Sequence, residues 1–380
     1  MVQEEPQVMR LIMPDIAEEE ISEVIKVLKS GLLVQGKNVN KFESKVAEFL
    51  NVKYAVAVSS GTAALCLALI TIGIKDGDEV ILPDFTHPAT GNVVALTNAK
   101  PVLVDIDLRT YNIDSSKIKK NLSARTKAIL PVHQFGQSAD MDPVLDIAKK
   151  YNLYVIEDSA CALGAKYKDN KCGTMGDAGC FSFHPRKVIT TGEGGMVVTN
   201  IPDIAMKVKA LRNHGVINKD GKNYFAYAGF NYRLTDFQGA LGCVQIEKLE
   251  KTIDKRRELA AIYDFFLKET DILQHPFAPS YNKHTYQSYV VLLDEKIDRD
   301  AVIRKLKEKS IETTIGTYAL HSQPFYKENY GYEEGNFKNS YKAFKQSLCL
   351  PLYVQMKKKD IKEVVENLLR AVRKEKRINA

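Results

Sequence analysis

The stretch SFHPRKVITTGEGG, residues 182–195, sets one lysine between a His-Pro pair and a glycine-rich turn. Surface lysines ordinarily sit among other charges. Lys187 instead follows the apolar, β-prone run from Ala178 to Phe183 and precedes Gly192-Glu193-Gly194-Gly195, so it reads as a lysine held at the end of a strand, inside a site. An amine held there and partly desolvated can lose its proton and attack a carbonyl carbon.

Two further groups extend that chemistry. Asp158 closes the run from Leu153 to Glu157, where an unpaired carboxylate is costly. It reads either as the cap of the next helix or as the partner of a protonated ring nitrogen; Glu157 alternates to the other face and reads as structural. Ser60-Gly61-Thr62 precedes the helical run Ala63–Ile72 and offers backbone N–H groups and hydroxyls to a phosphate, with Ser182 adding another hydroxyl. The same three residues also make an ordinary N-cap. Taken in chain order, anion turn, carboxylate and amine are what a phosphorylated aldehyde cofactor with a pyridine ring requires.

The elements that must position these groups alternate in type. Candidate strands are 54–60, 79–85, 100–107, 126–134, 153–160, 179–184 and 195–200, with helical stretches between them. Several are apolar along their whole length, which predicts an α/β fold whose mainly parallel sheet is covered on both faces. Ligands in such sheets bind beyond the carboxyl ends of the strands, and the polar residues collect there. Downstream, Thr235 with Gln238 three positions on predicts a capping box and one long helix through Phe266. Strands near 286–293 and 311–318 and a final helix from about Lys359 complete a smaller unit. The expected domains are 1–247, binding the cofactor, and 248–380.

Composition bounds the function classes. The 380 residues carry 54 Lys and Arg against 47 Asp and Glu, a net charge of +7, much of it in the tail at Lys357-Lys358-Lys359 and Arg373 to Arg377. That reads first as a solvated helix face, next as attraction of an anionic substrate and only last as a nucleic-acid site. The opening MVQEEPQVMR is acidic without an apolar core, and no apolar run is long enough to span a bilayer, so a cytoplasmic protein is expected. Six cysteines without C-x-x-C or metal-ligand spacing predict reduced thiols and no metal.

The motifs GLLVQGKNVNKFE, VSSGTAAL, KPVLVDID, VHQFGQSADMD, VIEDSACALGA, SFHPRKVITTGEGGMVVTN, LRNHG, GFNYRLTDFQGALGCVQ and LHSQPFY occur in that order along almost the whole chain. In this the sequence resembles the DegT-type sugar aminotransferases, pyridoxal-phosphate enzymes of fold type I. The resemblance implies that Lys187 forms the Schiff base with the cofactor and that Asp158 faces the pyridine nitrogen. Gly61, Thr62 and Ser182 match phosphate-contacting positions. His87 stands where the family presents an aromatic ring to stack on the cofactor. Asn231 matches an asparagine that reaches the phosphate from a second subunit, which implies a homodimer with shared sites. Cys161 departs from the Gln or His common near the cofactor's phenolic oxygen, and a thiol is a poor donor.

The resemblance further implies amino transfer from glutamate to a nucleotide-linked keto sugar, with a 4-keto-6-deoxyhexose as the expected acceptor. The alternatives are a sugar 3-dehydratase of the same family, which carries histidine where this chain has Lys187, and a cofactor-binding regulator without activity. His133, His184, His214 and His321 read as structural histidines or substrate contacts. Arg212 reads as a partner of an acidic substrate or of a carboxylate. Tyr318 and Leu320-His321 either border the sugar pocket or pack in the core.

Overall fold

The computed structural model describes residues 8–333 and 335–378. The first seven residues of the acidic opening segment lie outside that description, as do the side chains of the basic tail beyond residue 375.

The seven expected runs form β1 (Tyr54–Val58), β2 (Glu79–Pro83), β3 (Lys100–Val104), β4 (Thr126–Ile129), β5 (Tyr154–Asp158), β6 (Ala178–Ser182) and β7 (Gly195–Thr199). All join one sheet in the order β1-β7-β6-β5-β4-β2-β3. Neighbours are parallel except β7, which runs against both β1 and β6. Successive side chains point to opposite faces. Val56 and Val58 therefore enter one apolar cluster with helices Gly61–Thr71 and Pro202–Leu211, while Ala55 and Ala57 enter another with helix Lys37–Leu50. Apolar residues are needed on both faces, which is why these strands show no polar alternation. Helix Gly61–Thr71 is buried at every position but Thr62 and Ile70, so it carries no polar stripe either.

Helix Asp236–Leu267 starts at Thr235, whose N–H donates to Gln238 Oε1 at 3.1 Å. Its 32 residues span ~48 Å. The proposed division at residues 247 and 248 falls within it. Beyond that point Leu259, Ala260, Tyr263 and Leu267 pack on a second core with Tyr289, Val291, Leu348 and Leu368. That core covers a four-stranded antiparallel sheet ordered Leu273–Gln274, Tyr289–Leu293, Ser347–Leu350, Thr314–Ile315. The final helix, Lys358–Ile378, closes it. The chain start joins this layer too: Met9 bridges Ile311 and donates its N–H to the Ser310 carbonyl at 2.8 Å.

The run expected as one strand at 311–318 is two. Thr314–Ile315 stays with the smaller sheet, and Tyr318–Ala319 pairs instead with Phe85–Thr86 just beyond β2. Gly316 lies at the crossing, where a Cβ would come within 2.6 Å of Ser347 Oγ. The C-terminal part is thereby pinned to the edge where the polar residues gather. Among the described residues no helix is long and apolar enough to cross a membrane.

Candidate active site

The carboxyl ends of the parallel strands open onto a cavity of about 690 Å³, within the roughly 300–1,000 Å³ of small-molecule sites. Gly61, Thr62, His87, Asp158, Cys161, Ser182 and Lys187 all line it. Asn231 does not: it is exposed, bridged to Asn213, and outside the lining.

At one end lies Asp158, the last residue of β5 and only 5% exposed. Its Oδ2 accepts from Thr90 Oγ1 at 2.7 Å and its Oδ1 from the Ala160 N–H at 3.1 Å. The Oδ1 bond is a local turn of the kind an Asp makes at a helix start, but Thr90 comes from a different element, 68 positions away in the chain. Glu157 points the other way, as its place in the strand requires. It is fully buried and accepts from Gly173, Met175 and Gly176 N–H groups, each at 2.7 Å, with His133 Nε2 at 2.8 Å. That network answers every demand of a buried carboxylate and leaves Glu157 structural.

An anion cradle forms where β1 runs into helix Gly61–Thr71. Ser60 Oγ accepts from the Ala63 N–H at 3.1 Å, and the helix leaves its leading N–H groups, at Gly61 and Thr62, without an intrahelical acceptor. Antiparallel pairing sets Val58 against Gly195 and Gly195 against Ser182, which brings Ser182 beside the helix start. A Cβ on Gly61 would stand 2.8 Å from Ser182 Cβ. The close approach demands glycine and leaves backbone donors and a serine hydroxyl side by side.

Lys187 sits on a loop closed at its base. Phe183 N–H donates to the Gly194 carbonyl at 2.8 Å and Thr191 N–H to the Phe183 carbonyl at 3.0 Å, while Gly192 turns the chain at φ 81°. Lys187 N–H donates to the His184 carbonyl at 2.8 Å, and Gln287 Nε2 donates to the Arg186 carbonyl at 2.7 Å. The half-buried side chain ends with Nζ 3.1 Å from Cys161 Sγ. His87 caps helix Pro88–Leu96 by accepting the Ala89 N–H on Nδ1 at 3.2 Å. Burial foremost, and the charge of Lys187 next, hold its pKa below the ordinary value, so the ring is set as a neutral acceptor.

The remaining candidates separate. Arg212 is buried against Glu43 and the Ala57 carbonyl and is away from the cavity. His321 is fully buried with Nδ1 2.6 Å from Asp84 Oδ2. Neither lines the cavity. Conversely, Thr90, Gln134, Arg186, Gln287, Ser288 and Thr317 do. Gln134 and Arg186 stand among the polar residues that follow the strands, whereas no local pattern marks Thr90, in the first turn of helix Pro88–Leu96, or the last three, which come from the C-terminal part.

A backbone anion cradle, a deeply set carboxylate and an amine reaching the same cavity fit a phosphorylated pyridine aldehyde. Fold and site define an aminotransferase of the pyridoxal-phosphate-dependent fold type I. The chain belongs to the DegT/DnrJ/EryC1/StrS aminotransferase family, whose model matches residues 14–369. It is similar to the spore coat polysaccharide biosynthesis protein SpsC of Bacillus subtilis, at 38% identity over 379 residues, covering 96% of this chain and 97% of that one. It is also similar to GDP-perosamine synthase of Caulobacter vibrioides, at 41% identity over 294 residues, covering 77% and 79%. Among solved structures, the PLP form of Spr1654 from Streptococcus pneumoniae matches with a TM-score of 0.91 at 25% identity, covering 97% and 99%.

Proposed function

We propose that the protein moves an amino group from L-glutamate to a keto sugar carried on a nucleotide, a 4-keto-6-deoxyhexose, in the cytoplasm and as a homodimer. The observation that carries this reading is the convergence of Lys187, Asp158 and the Gly61–Ser182 cradle on one cavity. A relative named for a GDP-linked sugar supports a nucleotide-linked acceptor. Free thiols at all six cysteines suit a reducing compartment.

When bound, pyridoxal phosphate supplies an aldehyde that condenses with amines and a ring that draws electron density from the adjoining carbon. In this reading the N–H groups of Gly61 and Thr62 and the hydroxyl of Ser182 hold the phosphate, and His87 lies against the ring. Asp158 faces the ring nitrogen and holds a proton there. Lys187 Nζ takes the proton from the donor's α-carbon and, in the second half of the cycle, returns one to the sugar carbon that receives nitrogen. Arg186 lines the same cavity and makes no ion pair with a carboxylate among the described residues, and in this reading a donor carboxylate supplies that charge. Lysine at 187, where a dehydratase of this family has histidine, is what favours amino transfer.

The test is incubation with glutamate and a panel of nucleotide-linked 3- and 4-keto sugars, read by mass spectrometry. Aminated sugar with matching 2-oxoglutarate is expected. A sugar that loses a hydroxyl without gaining nitrogen would identify a dehydratase, and failure to turn over any donor would identify a regulator.

A further inference from the structure

Asp158 is not held by its own strand alone. Thr90 Oγ1 gives its single proton to Asp158 Oδ2 at 2.7 Å, and Thr86 Oγ1 lies 3.0 Å from Thr90 Oγ1. A hydroxyl has one proton to donate. Since that of Thr90 is committed to the carboxylate, Thr86 must be the donor in the second bond. The result is a directed chain, Thr86 to Thr90 to Asp158, in which each bond polarises the next toward the carboxylate. Both threonines are 1% exposed, so water does not compete for these hydroxyls. Both also reach the cavity wall.

Packing fixes the chain at each step. Thr86 lies in the short strand paired with Tyr318–Ala319, register Tyr318 to Thr86. Thr90 lies in the first turn of helix Pro88–Leu96, whose start is set by the His87 cap. β-branching restricts the rotamers of both, which holds the hydroxyls on line.

We propose that Thr90, backed by Thr86, is a positioning residue that keeps the cofactor's ring proton on nitrogen by fixing and hydrogen-bonding the Asp158 carboxylate opposite it. The proposal rests on the reading of Asp158 as the ring partner. The physical argument is a competition for one proton between the pyridine nitrogen and the carboxylate. A charge-assisted bond from Thr90 stabilises the carboxylate as an anion, so the proton stays on the ring and the ring stays an effective electron sink. Without that bond the carboxylate competes better, the pair drifts toward neutral acid and neutral ring, and electron withdrawal weakens. The groups facing this pair are Lys187, His87 and Cys161 across the cavity, with Cys180 on the adjacent strand. None is altered by the variants below.

The test reconstitutes full-length protein with pyridoxal phosphate labelled with ¹⁵N in the ring and reads the nitrogen resonance, alongside stopped-flow glutamate half-reactions. Thr90→Val keeps the shape and removes the hydroxyl. It is expected to move the resonance toward the unprotonated position and to slow the half-reaction about tenfold, the scale of one hydrogen bond to a charged group. Thr90→Ser restores both, and Thr86→Val gives a smaller shift in the same direction. Asp158→Asn is the control for the underlying reading and moves the resonance furthest. If Asp158→Asn moves it while Thr90→Val leaves it in place with the wild-type rate, the proposed role of Thr90 is overturned and Asp158 stands. If neither moves it, Asp158 is not the ring partner and both readings fall. Should Thr90→Val melt well below wild type, Thr90→Ser and Thr86→Val decide: equal resonances in all three proteins overturn the proposal.

Discussion

The ε-amino group of Lys187 and the thiol of Cys161 stand 3.1 Å apart on the wall of one cavity. Cys161 is also unlike the other five cysteines, which are all buried. Burial raises the pKa of Cys66, Cys172 and Cys180, and holds Cys243 and Cys349 up at about 11. Their reactive thiolate fraction is correspondingly small. A thiol-specific maleimide applied to native apoprotein should therefore label one cysteine per chain, and peptide mapping should find it at Cys161. Pyridoxal phosphate added first should protect it. Equal labelling with and without cofactor would place Cys161 outside the cofactor's footprint.

Among the described residues Lys187 is the only lysine that lines that cavity. Borohydride reduction of the loaded enzyme should fix the cofactor to the peptide containing Lys187, and Lys187→Ala should not acquire the yellow colour of the bound form. A label on any other lysine sinks the assignment.

The sheet was legible because its chemistry is local: strands covered on both faces must be apolar throughout, and seven such runs became seven strands. The strand-end cluster followed from topology, since a mainly parallel sheet gathers its carboxyl ends at one edge. Thr90 was not legible as a partner of Asp158. Their contact depends on where β2 and β5 fall in the sheet order, with β4 between them, and no periodicity encodes that. The split of the 311–318 run was hidden for a similar reason. Three residues past Ile315 the chain, at Tyr318, pairs with Phe85–Thr86 just beyond β2, a partner more than 200 positions away in the chain. Cys161 and Lys187 each stood out in the sequence, but their contact depends on how β5 and the loop after β6 meet, and no local pattern encodes that.

Gly61 and Ser182 share one small space, so a single methyl group tests the anion cradle. Gly61→Ala sets a Cβ 2.8 Å from Ser182 Cβ, neither of which is the end of a flexible chain. Such overpacking costs roughly 1–3 kcal/mol. Cofactor affinity should fall by about tenfold or more, which is about 1.4 kcal/mol, measured by fluorescence titration of apoprotein. Adding Ser182→Gly should restore the melting temperature by removing the clash, yet leave affinity low because the hydroxyl is gone. Full recovery of affinity in the double variant would show that Ser182 contributes no contact to the phosphate.

Asn231 is exposed and outside its own chain's cavity lining, as a residue serving a second subunit would be. Nearby, the hairpin of Val216–Lys219 and Lys222–Phe225 exposes Ile217, Tyr224 and Phe225. Apolar exposure of this kind marks interaction surfaces. Lys187→Ala and Asn231→Ala proteins, each inactive or impaired alone, should complement when mixed under conditions of demonstrated subunit exchange, since each hybrid dimer holds one site free of both changes. Activity no higher than either parent would reject shared sites.

His284 gives the fold a pH dependence with a definite sign. Burial first, then the charges of Arg257 and Arg256, push its pKa down to about 3. The neutral ring is used structurally: Nδ1 accepts the Tyr286 N–H at 2.8 Å, and the two rings stack at 4.1 Å. In the unfolded chain the same group titrates near its ordinary value of ~6.5. Between those values the unfolded state binds a proton that the folded state refuses. The stability this residue contributes is thus complete above about pH 6.5 and declines by up to ~1.4 kcal/mol per pH unit as pH falls toward its folded pKa. His284→Asn keeps an acceptor for the Tyr286 N–H and removes the titration. Thermal melts across the acidic range should show a shallower loss of melting temperature for this variant than for wild type, whatever its absolute stability. Raised carboxyl groups such as Asp84 and Asp264 titrate alike in both proteins, so they cancel in the comparison. Parallel profiles would mean that His284 takes up its proton within the folded state at an ordinary pH.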